Sequence, residues 1–232
     1  MKQISVFRKR LSYVLKTIVI LSALIGTFLS AFAGRKAFMG GSTVFMYFTI
    51  QSNILIAILS AIGCFLLWQK KTPSKAWYVI KFVGTVAITL TGVVFVVVLA
   101  PTLGVHAWNV QNTLTHVVVP VAAVIDFFVT ASGADIGKKN VFYVVIPPIL
   151  YAIYAGIGYV QGWEFAAGLN YPYFFLNWGS PAGAFGFTNE MPFMGCAWWI
   201  LALLVFLIII GYCYLAVADS IGRRIGADAN EE

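Results

Sequence analysis

Residues 43–68 read TVFMYFTIQSNILIAILSAIGCFLLW, a run without a single Asp, Glu, Lys, Arg or His. A helix needs about 20 mostly apolar residues to cross the hydrocarbon core of a bilayer, and this run exceeds that length. Five further segments of the same kind lie on either side of it, near residues 11–33, 77–100, 111–131, 141–161 and 192–217. Over the whole chain of 232 residues, 61% are hydrophobic and only 10% are Asp, Glu, Lys or Arg, with a mean hydropathy of +0.90. A soluble domain carries roughly a quarter charged residues, so a soluble globular enzyme is excluded. The expected fold is all-α: a polytopic membrane protein with six transmembrane helices in one bundle, a single domain over 1–232. The first span is too long for a signal-peptide core and lacks a small-residue cleavage site, so it is read as a mature helix. Pro101 is expected to close the third span, the stretch SGADIGKKN at 132–140 to form a polar turn, and Pro192 to open the sixth helix. Pro147 and Pro148 are placed to kink the fifth span, and 162–191 is long enough to re-enter the membrane.

The net charge of +7 reads as an orientation signal rather than an affinity for nucleic acid, because basic residues beside spans collect on the cytoplasmic side. With the N-terminus inside, that side gathers Lys2, Arg8, Lys9, Arg10, Lys16, Lys70, Lys71, Lys75, Lys81, Lys138, Lys139, Arg223 and Arg224, which is 13 of the 15 basic residues. Only Arg35 and Lys36 fall outside. Both termini are therefore expected to be cytoplasmic. Cys64, Cys196 and Cys213 all fall within apolar spans, as packing residues rather than a disulfide framework.

Chemistry must come from the few polar groups inside the spans, since each costs several kcal/mol in hydrocarbon when unpaired. Thr49, Ser52 and Asn53 share one face of the second span, with Gln51 elsewhere. Asn112, Thr113 and His116 share a face of the fourth. Both spans run inward from the outer side, so Thr49 and His116 sit roughly 8 to 9 Å below the outer interface at about 1.5 Å per residue. A hydroxyl and an imidazole at one depth are the minimum for an activated nucleophile. Two plainer roles stand beside that one: Thr49 bonding the carbonyl four residues back, and His116 bridging helices as a buried imidazole.

The stretches YFTIQSN (47–53), LTHVVVPVAAVIDFF (114–128) and YPYFFLN (171–177) resemble the androgen-induced-gene and ADTRP-type family of integral membrane proteins, and its bacterial branch most of all. The resemblance implies a membrane-embedded threonine hydrolase that cleaves a lipid ester, such as a fatty acid ester of a hydroxy fatty acid. Thr49 matches the family threonine and His116 the family histidine. In this chain Gln51, Ser52 and Asn53 follow the threonine where the animal members are more apolar. The stretch at 171–177 adds Tyr173 and Asn177 as site candidates. The likeness to the bacterial branch points to a bacterial cytoplasmic membrane, and the orientation set by the basic residues puts the site toward its outer leaflet.

In such a hydrolase His116 takes the proton as Thr49 attacks the ester carbonyl, and a water activated by the same imidazole releases the acyl group. Ser52, Asn53 or Asn112, or the positive end of the second helix, are the candidate donors to the oxyanion. Asp126 lies ten residues beyond His116, about 15 Å along a straight helix. At that distance it is expected to pair with a basic residue or a hydroxyl rather than complete a triad. His106 beside Trp108 reads as an interfacial residue or a second base, and the long loop bracketed by Glu164 and Glu190 as a lid or a packed cap. Gly84 and Gly92 read as helix-packing residues. Expected partners are the lipid ester and the bilayer lipids, with no nucleic acid, no metal and no cofactor. The competing reading is a small lipid or solute carrier, or a sensor, in which His116 and Asp126 relay protons. Against a carrier, no internal repeat is visible.

Overall fold

The computed structural model describes residues 5–33, 41–70, 72–132 and 134–231, with side chains not described at 33 and 226–231. Lys2, Arg35, Lys36 and Lys71 lie outside the described residues. The chain is helical, with no strand among the described residues. Among the described residues six helices are long and apolar enough to cross a membrane: α1 (Val6–Phe32), α2 (Phe48–Trp68), α3 (Lys75–Ala107), α4 (Val110–Ala131), α5 (Lys138–Val160) and α6 (Cys196–Ile225). Three of them start on a side-chain cap that accepts from an otherwise unpaired backbone N–H. Ser5 accepts from Arg8 N at 3.3 Å, Ser74 from Trp77 N at 3.2 Å, and Asn109 from Asn112 N at 2.9 Å.

The central helices are α3 and α4. One face of each packs with α1 and α2 around Val19, Ile56, Ile88 and Val119. The other packs with α5 and α6 around Phe82, Phe127, Val141 and Leu207. Helix α6 is peripheral and leaves Leu201, Val205 and Ile209 exposed, as a lipid-facing helix requires.

Several ends differ from the hydropathy reading. Residues Gly41–Met46 form a 3-10 turn, so α2 begins at Phe48 and Thr49 lies in its first turn. Pro192 belongs to the preceding loop, and α6 begins at Cys196. Pro147 and Pro148 sit in the first turn of an α-helical segment that follows a 3-10 stretch, Lys138–Val145, where a missing N–H costs nothing. Pro101 does not end α3, which continues through short helical turns to Ala107.

The reason lies in the turn before that proline. Residues Phe95–Leu99 form a π-turn, followed by Ala100 and Pro101. Leu114–Val118 form another, followed by Val119 and Pro120. In each, the residue before the proline bonds five positions back, Ala100 N to Phe95 O and Val119 N to Leu114 O. A proline inside a helix cannot donate to the carbonyl four residues back and its ring presses on it; widening the turn by one residue relieves both problems. Gly92 on α3 faces the second of these turns. A Cβ there would stand 3.0 Å from His116 O and 3.2 Å from Pro120, so any larger residue at position 92 would press α4 away from α3 by a few tenths of an ångström.

At the end of the bundle remote from the α2 N-terminus, Lys16, Lys81 and Asp126 form a buried ion cluster. Lys16 Nζ lies 2.6 Å from both carboxylate oxygens and Lys81 Nζ 2.6 Å from Oδ2. Ser12 donates to Oδ1 at 2.6 Å and accepts from Lys16 at 2.8 Å. Arg8 nearby donates to Val129 O and Ser132 Oγ. The cluster ties α1, α3 and α4 together, and Asp126 has the basic and hydroxyl partners expected of it.

Candidate functional site

The first backbone N–H groups of a helix have no partner within it, and Tyr47, the N-cap of α2, supplies no side-chain acceptor. Tyr173 fills that role from the loop between α5 and α6: Thr49 N donates to the Tyr173 hydroxyl at 3.3 Å. The Thr49 side chain is therefore held where the helix begins. Its Oγ1 lies 3.2 Å from His116 Nε2 and 3.4 Å from the Tyr173 hydroxyl. Residues 67 positions apart in sequence thus meet, the hydroxyl and imidazole whose depths match in the sequence reading.

The tautomer of His116 follows from its other nitrogen. Nδ1 is 3.0 Å from Asn112 O and 3.0 Å from Thr115 Oγ1. Asn112 O can only accept, and Thr115 gives its hydroxyl hydrogen to Gln111 O at 2.8 Å. Nδ1 therefore carries the hydrogen and Nε2 the lone pair that faces Thr49. Phe95 stacks on the imidazole, with centroids 4.0 Å apart and planes inclined by 21°. Both rings come from the two π-turns, so the proline-widened turns of α3 and α4 together set the plane of the base.

Of the candidate oxyanion donors, Asn53 directs its amide hydrogens at Thr49 O (2.8 Å) and Thr115 O (3.0 Å). Its buried Oδ1 has no partner among the described residues, but an amide oxygen accepts and cannot stabilise an oxyanion. Ser52 Oγ lies between Thr49 O (3.0 Å) and Thr91 Oγ1 (2.7 Å) on the α3 side, and Asn112 Nδ2 donates to Ala107 O at 2.8 Å. These three brace the backbone around Thr49 and His116. The donor within reach of Thr49 Oγ1 is Tyr173. Burial pushes its hydroxyl above the ordinary phenol value, so it stays protonated through the neutral range. Asn177 lies apart and closes a loop turn by accepting from Gly179 N at 3.1 Å. Asp126 belongs to the remote ion cluster, His106 is exposed, and Glu164 accepts from Gly168 N within its own loop.

Two cavities meet at Thr49. The larger, about 300 Å³, holds His116 and mixes the polar Ser30, Thr102, Asn112, Thr115 and Tyr171 with apolar walls. The smaller, about 60 Å³, is an apolar crevice among α3, α5 and α6. The loop after α5 roofs this end of the bundle: Phe165, Phe175 and Leu176 are buried, and Tyr47 donates to Phe165 O at 3.0 Å. Among the described residues no group of three His, Cys, Asp or Glu side chains is placed to hold a metal ion.

Thr115 and Phe95 were not singled out by spacing. A regular helix puts Thr115 about 100° away from His116, so spacing by three and four passes over a direct neighbour. Pro101 and Pro120, each two residues beyond the end of a π-turn, are the available signal. Compared with family models, curated proteins and solved structures, the chain matches none.

Proposed function

We propose that this chain is a membrane-embedded hydrolase that cleaves lipid esters with Thr49 as nucleophile and His116 as general base. The observation that carries the reading is the ordered chain from Thr49 Oγ1 through the His116 ring to Asn112 O. An alcohol is a weak nucleophile until a positioned base takes its proton, and a base works best when a third group holds its tautomer. Here a backbone carbonyl takes the place a carboxylate holds in a serine triad. Thr49 Oγ1 attacks the ester carbonyl as Nε2 accepts its proton; the tetrahedral intermediate collapses as the proton passes to the departing alcohol; water then repeats the sequence and frees the acid. The Tyr173 hydroxyl is the side-chain donor for the developing oxyanion.

The resemblance of 47–53, 114–128 and 171–177 to the androgen-induced-gene and ADTRP-type proteins supports the same roles. With the basic residues on the cytoplasmic face, both termini lie inside and the site opens toward the outer leaflet of a bacterial cytoplasmic membrane.

The test is labelling of purified protein by a fluorophosphonate, with turnover of a fluorogenic lipid ester in parallel. Label is expected on Thr49 and absent from His116→Ala. Thr49→Ala is expected to lose on the order of 10⁴-fold or more of turnover while unfolding at the wild-type temperature. Unchanged turnover in Thr49→Ala, or label on another residue, sinks the reading.

A further inference from the structure

We propose that the two cavities at Thr49 divide the ester between them, the hydrocarbon acyl chain lying in the crevice among α3, α5 and α6 and the alcohol portion in the His116 chamber. This rests on the hydrolase reading above and adds which side of the nucleophile takes which half of the substrate.

Thr49, Leu99 and Tyr173 line both cavities, whereas His116 lines only the larger. The nucleophile is thus part of a partition with its base on one side. When Oγ1 bonds to the carbonyl carbon, the C–O bond to the alcohol breaks and the alkoxide needs a proton. That proton is the one Nε2 has just taken from Thr49, so the departing oxygen must lie on the His116 side. The acyl chain, now attached to Oγ1, extends away from it, and the space there is the crevice.

The linings agree with that division. Leu90, Val94, Ala152, Ile200, Leu203 and Leu204 make the crevice a hydrocarbon surface. Its hydroxyl groups at the Thr49 end are engaged elsewhere, Thr91 with Ser52 and Tyr151 with Met46 O. The lining of the His116 chamber instead includes Ser30, Asn112, Thr115 and Tyr171 beside the imidazole, which suits an alcohol portion that carries polar groups. The crevice rim at Pro148, Ala152, Leu203 and Leu204 is half-buried. An acyl chain longer than the crevice therefore runs out between α5 and α6 to the lipid-covered surface.

Two series of fluorogenic esters test this, one with a fixed alcohol and acetyl to decanoyl acids, the other with a fixed acid and alcohols of increasing size. Filling the crevice with Ala152→Phe is expected to lower the decanoyl-to-acetyl ratio of kcat/KM at least about tenfold and leave the alcohol ranking in place. Leu103→Trp in the chamber should do the reverse. If Ala152→Phe disturbs the alcohol ranking instead, or lowers both acids equally, the division is overturned while the hydrolase stands. Binding of the fluorescent fatty acid cis-parinaric acid gives a readout without turnover. Thr49→Ala should retain it and Ala152→Phe should lose it, and equal binding by both overturns the division. Should the wild type hydrolyse no ester in either series, the hydrolase reading fails, and the binding measurement alone decides whether the crevice holds an acyl chain.

Discussion

The Thr49–His116 region and the Lys16–Asp126–Lys81 region both place polar atoms inside the bundle, and both use α4. The Asp126 carboxylate meets Lys16, Lys81 and Ser12 at 2.6 Å each, and the space beside them is about 10 Å³, no more than one water needs. Around Thr49 the cavity lining holds no Asp, Glu, Lys or Arg, the contacts of the Thr49 hydroxyl and the His116 ring run from 3.0 to 3.4 Å, and about 300 Å³ lies open beside them. Charge, short distances and no space make a fixed joint between helices. Neutral groups, slack distances and a cavity make a place where hydrogen bonds can be exchanged during a reaction. In hydrocarbon, then, polarity alone does not mark a functional site; polarity with room around it does.

The comparison breaks most visibly at Asp126. Asp126→Ala leaves two ammonium groups buried without a counter-charge and is expected to cost about 3–5 kcal/mol of stability, read as loss of folded protein or a large fall in Tm in detergent. Replacing all three ions with apolar residues, as in Lys16→Met, Lys81→Met and Asp126→Leu together, should recover much of that loss. A near-native Tm for Asp126→Ala would mean that the cluster is not the joint described. The next effect is at the other end. Tyr173→Phe removes the hydroxyl that reaches Thr49 and should lower kcat by about 10²-fold with little change in KM and a nearly unchanged Tm; a KM effect alone would assign Tyr173 to binding rather than to the transition state. The smallest effect belongs to the exposed pair Lys75–Asp135, 2.8 Å apart and open to solvent. The hydrogen bond from Lys75 holds the Asp135 carboxyl below its ordinary value, so any contribution exists above the usual carboxylate range and is lost as pH falls through it. Asp135→Asn should leave Tm unresolved from wild type at pH 7, because solvent screens such pairs.

Six spans were legible because apolar length and sparse charge are summed over whole segments. The meeting of Thr49 with His116 was legible for a related reason: few polar residues occur inside these spans, so two at equal depth stand out. What escaped was local or long-range. Hydropathy cannot separate the 3-10 turn at 41–46 from the helix after it, and it read Pro101 as a stop because the widened turn that accommodates it leaves no trace in composition. Lys16 and Lys81 read as cytoplasmic-side charges, yet both reach Asp126, 110 and 45 residues away. No local pattern encodes that pairing. Tyr173 entered through resemblance rather than spacing, since a loop residue's reach depends on how the loop folds back.

The proline-widened turn at 114–118 also has a consequence for changes in chain length. The turn takes up its additional residue by widening, so its flanks keep nearly the register of a continuous α-helix, with His116 facing Thr49 and Asp126 facing Lys16 and Lys81. Deleting Val117 or Val118 restores α geometry and turns one flank against the other only slightly, so both ends of α4 keep their partners, but the turn loses the width that accommodates Pro120. A wide turn of this kind is thus a place where chain length can change by one residue while the site and the joint that anchors it stay aligned.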